Sequence, residues 1–148
     1  MEILSKLPER LQELMLDRNI NASALAKILN TNPSTVTRYL KGETLPSYAC
    51  FTKMLEFFDC SADFLIGLID FPPTDMVFHP IPPFNEQFRT LMQKHTMSQY
   101  RLHHITNFSY NNFNKWLKGL SHPYVDNLIK LAQAFDCSVD YLIGHTLS

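Results

Sequence analysis

Residues 21–42 read NASALAKILNTNPSTVTRYLKG, and residues 98–119 read SQYRLHHITNFSYNNFNKWLKG. Each stretch opens on a residue whose side-chain oxygen suits a helix N-cap, Asn21 or Ser98, and closes on Gly42 or Gly119, suited to a left-handed stop. Between them lies a second start, Asn32 with Pro33 at the first helical position, or Ser109. The reading is two short helices a few residues apart. The copies lie 77 residues apart, and the similarity runs without a gap over residues 7–67 and 84–144, with nineteen of 61 positions identical. Phe58–Ser61 recurs as Phe135–Ser138, and Leu65–Gly67 as Leu142–Gly144. The chain is therefore two copies of one small unit, each near the lower size limit for folding without disulfides or metal.

Working outward, the 3.6-residue period predicts three more helices per unit. Leu7, Leu11, Leu14 and Met15 share one face of a helix before Asn21; Phe84, Phe88, Leu91 and Met92 repeat it. In the quoted stretch, Leu25, Ile28 and Leu29, or Leu102 and Ile105, are the inward positions of one helix. Those of the next are Val36, Tyr39 and Leu40, or Phe113, Trp116 and Leu117. After Pro46 or Pro123 comes a fourth helix with core stripe Phe51, Met54, Leu55 and Phe58, or Leu128, Leu131, Ala132 and Phe135. A short fifth helix follows Ser61 or Ser138 and ends at Gly67 or Gly144. No segment alternates as a strand, so the expected fold is all-α, with five helices per unit.

Apolar residues make up 45% of the chain and only four are glycine, which suffices for two small cores. No stretch approaches the ~18 apolar residues of a membrane span, and residues 1–6 lack a secretory-signal pattern. Cys50, Cys60 and Cys137 form no C-x-x-C pair, and an odd count fits no closed disulfide framework. A reducing, cytoplasmic setting is expected, with Cys60 and Cys137 as small buried residues.

The run from Ile20 to Gly42, with Pro46 and with Leu55–Leu65 (LEFFDCSADFL), resembles the XRE family of phage Cro and repressor DNA-binding domains. Unit 2 resembles it most over Leu128–Leu142 (LIKLAQAFDCSVDYL), and the likeness covers about 120 residues. It implies two tandem five-helix lambda-repressor-like helix-turn-helix domains, at residues 1–69 and 84–148, joined by a proline-rich linker at 70–83. In that arrangement the third helix enters the major groove. Its outward residues are Pro33, Ser34, Thr35, Thr37, Arg38 and Lys41 in unit 1, and Tyr110, Asn111, Asn112, Asn114, Lys115 and Lys118 in unit 2. Asn pairs bidentately with adenine, Arg or Lys with guanine, and Ser or Thr with either. The family implies base contacts from Pro33, Ser34, Thr35 and Arg38, and from Tyr110, Asn111, Asn112 and Lys115. It also places Gln at the start of the second helix, near phosphate; Gln99 fits, whereas unit 1 has Ala22. The competing reading is an ordinary solvated helix surface. A small residue is expected where unit 1 has Ala26, but unit 2 has His103 and then His104. Neighbouring histidines on a helix diverge by about 100° and make no metal pair.

Charge is the counterweight. Residues 1–70 hold seven Lys/Arg against nine Asp/Glu, and residues 71–148 hold six against five. Phosphate neutralisation supplies most non-specific DNA affinity, so any basic face must be local. Arg101, Lys115 and Lys118 provide one in unit 2; Lys27, Arg38 and Lys41 provide one in unit 1.

At ~3.1 Å per residue, about 13 extended linker residues reach about 40 Å, and half-sites one turn apart are about 34–36 Å between centres. Phe71, Met76, Val77, Phe78 and Ile81 are too apolar for a freely solvated tether and are expected to pack on a unit, between the units or against a second chain. Cys50 and Phe57, replaced by Asn127 and Ala134 in unit 2, form an apolar flank. The flank is either a wider core or, with the linker, a route to a homodimer. No phosphate loop, nucleophile motif, metal spacing or cofactor motif is present. The expectation is a non-enzymatic bacterial or phage transcriptional regulator on double-stranded DNA. The alternative is an antitoxin-like or anti-repressor protein-interaction module in which at least one unit no longer binds DNA.

Overall fold

In the computed structural model, which describes residues 6–148, the left-handed backbone positions of the two units pair at the 77-residue offset. They are Asn19 with Thr96, Asn30 with Asn107, Gly42 with Gly119, Asp59 with Asp136, and Gly67 with Gly144. Asn and Asp tolerate this conformation because a short polar side chain bonds locally. The repeat thus lies in the backbone and not only in the residues. Residues 1–5, most of the stretch read for a secretory signal, lie outside the described residues.

The chain divides between Met76 and Val77 into two compact units. The first carries α1 (Lys6–Asp17), α2 (Ala22–Leu29), α3 (Pro33–Lys41), α4 (Tyr48–Phe58) and α5 (Ala62–Ile66). The second carries α6 (Phe84–Lys94), α7 (Gln99–Thr106), α8 (Tyr110–Lys118), α9 (Val125–Phe135) and α10 (Val139–Leu142). No strand occurs among the described residues. The caps read from the sequence are in place: Asn21, Asn32, Ser98 and Ser109 each accept a backbone N–H three residues on, and Ser61 and Ser138 do the same for the short fifth helices. Each such cap contributes ~1 kcal/mol. Ser47 also caps α4, while its counterpart Tyr124 makes no side-chain cap on α9.

The two cores are filled differently. Leu11, Val36 and Tyr39 of unit 1 become Phe88, Phe113 and Trp116 in unit 2, all buried. Phe88 sits at the centre of the second core, with ring centroids of Phe113, Trp116 and Phe135 within 6.4 Å. At roughly 1.5–3 kcal/mol for each large apolar side chain buried, these residues supply most of the drive to fold.

Several positions differ from the sequence expectation. Ile28 and Ile105 are exposed, not inward, because eight-residue helices present only a narrow stripe to the core; in α2 it is Leu25, Ala26 and Leu29. Leu14, Leu40, Met92 and Leu117 are half-buried at the stripe edges. Cys50 is buried against the end of α2, its Sγ 4.0 Å from the Leu29 carbonyl, so it belongs to the core and offers no surface. Phe57 is half-buried, covered by the Arg18 guanidinium at 5.2 Å and set edge-on to Phe58. Cys60 and Cys137 are half-buried instead of buried.

Of the apolar linker residues, Phe78 stacks on the buried His145 ring at 4.4 Å, and the His79 N–H donates to the His145 carbonyl at 2.8 Å. Pro82 lies over Gly144, where an added Cβ would meet the proline ring at 2.7 Å. Phe71 and Val77, by contrast, stay exposed at 80% and 71%.

Candidate nucleic-acid interface

In each unit two helices meet across a three-residue turn. In unit 1 it is Asn30–Thr31–Asn32: Asn30 ends α2 in the left-handed conformation, and the Asn32 carboxamide caps α3. Asn107–Phe108–Ser109 does the same for α7 and α8. The caps fix the start of α3 and α8, while buried Val36 and Tyr39, or Phe113 and Trp116, fix which face of each helix is turned inward.

Most of the residues that the sequence turns outward on these helices are exposed. Ser34, Arg38 and Lys41 form one line along α3, because residues four and seven apart share a helix face; all three are exposed. Asn111, Lys115 and Lys118 form the equivalent exposed line on α8. Pro33 and Tyr110 stand exposed at the first helical positions, Asn114 is exposed, and Thr35, Thr37, Asn112 and Gln99 are half-buried. The sequence-selected residues of each unit are thereby gathered along one helix, with Gln99 apart at the start of α7.

The two lines differ in what they have free. The Ser34 and Thr35 hydroxyls both donate to the Asn32 side-chain oxygen, and the Thr37 hydroxyl donates back to the Pro33 carbonyl at 3.0 Å. A hydroxyl so committed retains only acceptor capacity. In unit 2, among the described residues, the side-chain amides of Asn111, Asn112 and Asn114 make no hydrogen bond. Their amides keep donors and acceptor alike.

His103 takes the place of the fully buried Ala26 and is accommodated by bridging. Its Nδ1 lies 2.7 Å from the Phe108 carbonyl and so carries the proton, and its ring stacks on Tyr110 at 4.7 Å. Tyr100, 65% exposed, packs edge-on to His104 at 4.4 Å. An aromatic and imidazole cluster therefore flanks the start of α8, with no equivalent in unit 1, where Ser23, Ala26, Lys27 and Pro33 hold these positions.

Arg89 and Lys130 were missed at the sequence level. Arg89 reaches from α6 to the Leu117 carbonyl at 2.9 Å, and the Lys130 ammonium lies 5.8 Å from the Phe108 ring centre. Both add positive charge around the second helix-turn-helix; the signal was that unit 1 has Gln12 where unit 2 has Arg89. Beyond the glycine that stops each outward helix, unit 1 has exposed Glu43 and unit 2 has exposed Leu120. In unit 1 an acid thus follows Lys41, whereas none follows Lys118.

No helix among the described residues is long and apolar enough to cross a membrane. Residues 11–65 match the family model for a helix-turn-helix, and residues 87–146 match that for a Cro/C1-type helix-turn-helix DNA-binding domain. No curated protein and no solved structure matches the chain.

Proposed function

We propose that the chain, which carries two helix-turn-helix domains in tandem, the second matching the Cro/C1-type DNA-binding family, is a sequence-specific transcriptional regulator. It acts by occupying an operator and performs no catalysis. The observation that carries this reading is the pair of capped, exposed helices α3 and α8, each presenting a line of polar and cationic side chains beyond a helix-turn-helix. In this reading Arg38 and Asn111 meet base edges, Lys41 and Lys118 meet phosphates, and Gln99 approaches the backbone at the start of α7. An odd count of cysteines with no C-x-x-C pair supports work in a reducing compartment.

The test is selection of bound duplexes from a randomised double-stranded pool by the full chain, followed by mobility shift with the recovered sequence and with DNA flanking its own gene. Enrichment of a defined site, and a shift that survives excess unrelated DNA, is the expected result. Binding that shows no sequence preference, or none at all, points instead to the protein-interaction reading.

A further inference from the structure

The outward lines of α3 and α8 place their two-pronged groups at different positions. Each line has three members, and two of the three differ in kind: Ser34 against Asn111, and Arg38 against Lys115; Lys41 and Lys118 are the same. Unit 1 has a guanidinium, which offers two parallel donors to guanine O6 and N7, at the middle of its line. Its first member, Ser34, has its hydroxyl proton committed to Asn32. Unit 2 has the reverse order. Its first member, Asn111, is an exposed carboxamide without a hydrogen bond among the described residues, able to accept from adenine N6 and donate to adenine N7. Its middle member, Lys115, carries a compact ammonium without the planar fork of Arg38, so it holds guanine with less geometric selectivity. Asn114 lies about 60° off the line by helix geometry, and Asn112 is half-buried on the other flank.

We infer that the operator is asymmetric: unit 2 selects an adenine through Asn111, and unit 1 selects a guanine through Arg38, at different steps of the two half-sites. This rests on the operator-binding reading above. In identical half-sites the adenine read by Asn111 would meet only the committed Ser34 hydroxyl in unit 1, so nothing there selects for its repetition.

The experiment uses the full chain and its Asn111→Ala variant in parallel selections from the randomised duplex pool, followed by affinities for single-base replacements in the recovered site. The Asn111 side chain is exposed and makes no hydrogen bond among the described residues, so the variant folds; thermal melting checks this. The expected result is two unlike half-sites, with an adenine whose replacement weakens the native chain roughly 5- to 150-fold, as loss of one bidentate pair implies, but leaves Asn111→Ala nearly unchanged. A palindromic site, or an adenine dependence that survives in Asn111→Ala, overturns the inference and leaves operator binding standing. Recovery of no enriched duplex overturns both.

Discussion

Arg10 and Gln87 stand 77 residues apart at one position of the two units, and each donates to the carbonyl of the equivalent residue in the last helix. Arg10 donates to Phe64, and Gln87 Nε2 donates to Tyr141 at 3.2 Å. Arg10 does more: it also donates to Ile69 at 2.8 Å and to Asp70 at 3.3 Å, and its guanidinium lies 4.1 Å from the centre of the Phe64 ring. One cation thus ties the first helix to the chain that leaves unit 1.

Removing that cation takes a donor from the Phe64, Ile69 and Asp70 carbonyls, of which Phe64 keeps the Gly67 N–H. Arg10→Ala is expected to destabilise unit 1 by about 2–4 kcal/mol, as for a buried charge-assisted network. Gln87→Ala loses a single neutral bond, about 1 kcal/mol. Arg10→Gln, which installs the unit 2 solution, recovers part of the loss. Urea unfolding followed by circular dichroism measures all three; equal costs for Arg10→Ala and Gln87→Ala would show that the extra contacts contribute nothing.

Alkaline pH separates the units. Burial, and then the neighbouring Cys50 thiol, push the Tyr39 phenol up to about 12, and burial, then the Glu56 charge, raise that of Tyr48. An unfolded tyrosine ionises near 10. The unfolded state therefore releases protons first, and the stability of unit 1, intact below about pH 10, falls as pH climbs from about 10 to 12. Trp116, the Tyr39 counterpart and the single tryptophan, does not titrate and reports on unit 2. Urea midpoints by circular dichroism should drop between pH 8 and 11 ahead of those by Trp116 fluorescence, and less so in Tyr39→Phe. Coincident loss in both signals would refute the assignment.

Most of the fold was legible because it is written in local chemistry. Asn32–Pro33, Ser109, Gly42 and Gly119 act on backbone groups within three residues of themselves, so their reading survives folding intact. The apolar stripes were less secure at their edges. Ile28 follows Leu25 at helical spacing, yet a short helix touches the core through fewer residues than the stripe contains. Arg10 was overlooked because a charged residue inside the Leu7–Leu11–Leu14 stripe looks like an interruption; its spacing was the available signal. At the candidate interface the outward residues were readable from the period. The engagement of Ser34, Thr35 and Thr37 depends on where donors point, which only coordinates provide.

Ala26 and His103 invite an exchange. Ala26 is 1% exposed where α2 meets α3, so Ala26→His overpacks that contact and should cost about 1–3 kcal/mol. His103→Ala gives up one hydrogen bond and one stacked ring, partly offset by relief of crowding, and should cost about 1 kcal/mol. Thermal melts of the two variants decide it. A larger loss for His103→Ala would mean that the bridge to Phe108 and Tyr110 holds the second helix-turn-helix together.

The last expectation separates positioning from reading on DNA. Lys118 ends the outward line of α8, beside Leu117, whose carbonyl Arg89 holds, and with Leu120 where unit 1 has Glu43. Lys118→Ala should weaken binding to all sequences alike and reduce the slope of log K against log salt by about 0.9, the loss of one phosphate contact. Arg38→Ala should instead relax preference at a single base pair, costing about 1–3 kcal/mol on the selected site. Fluorescence anisotropy with selected and scrambled duplexes across a salt series distinguishes the two. If Lys118→Ala altered base preference while Arg38→Ala changed only the salt slope, the roles assigned along these helices would have to be reversed.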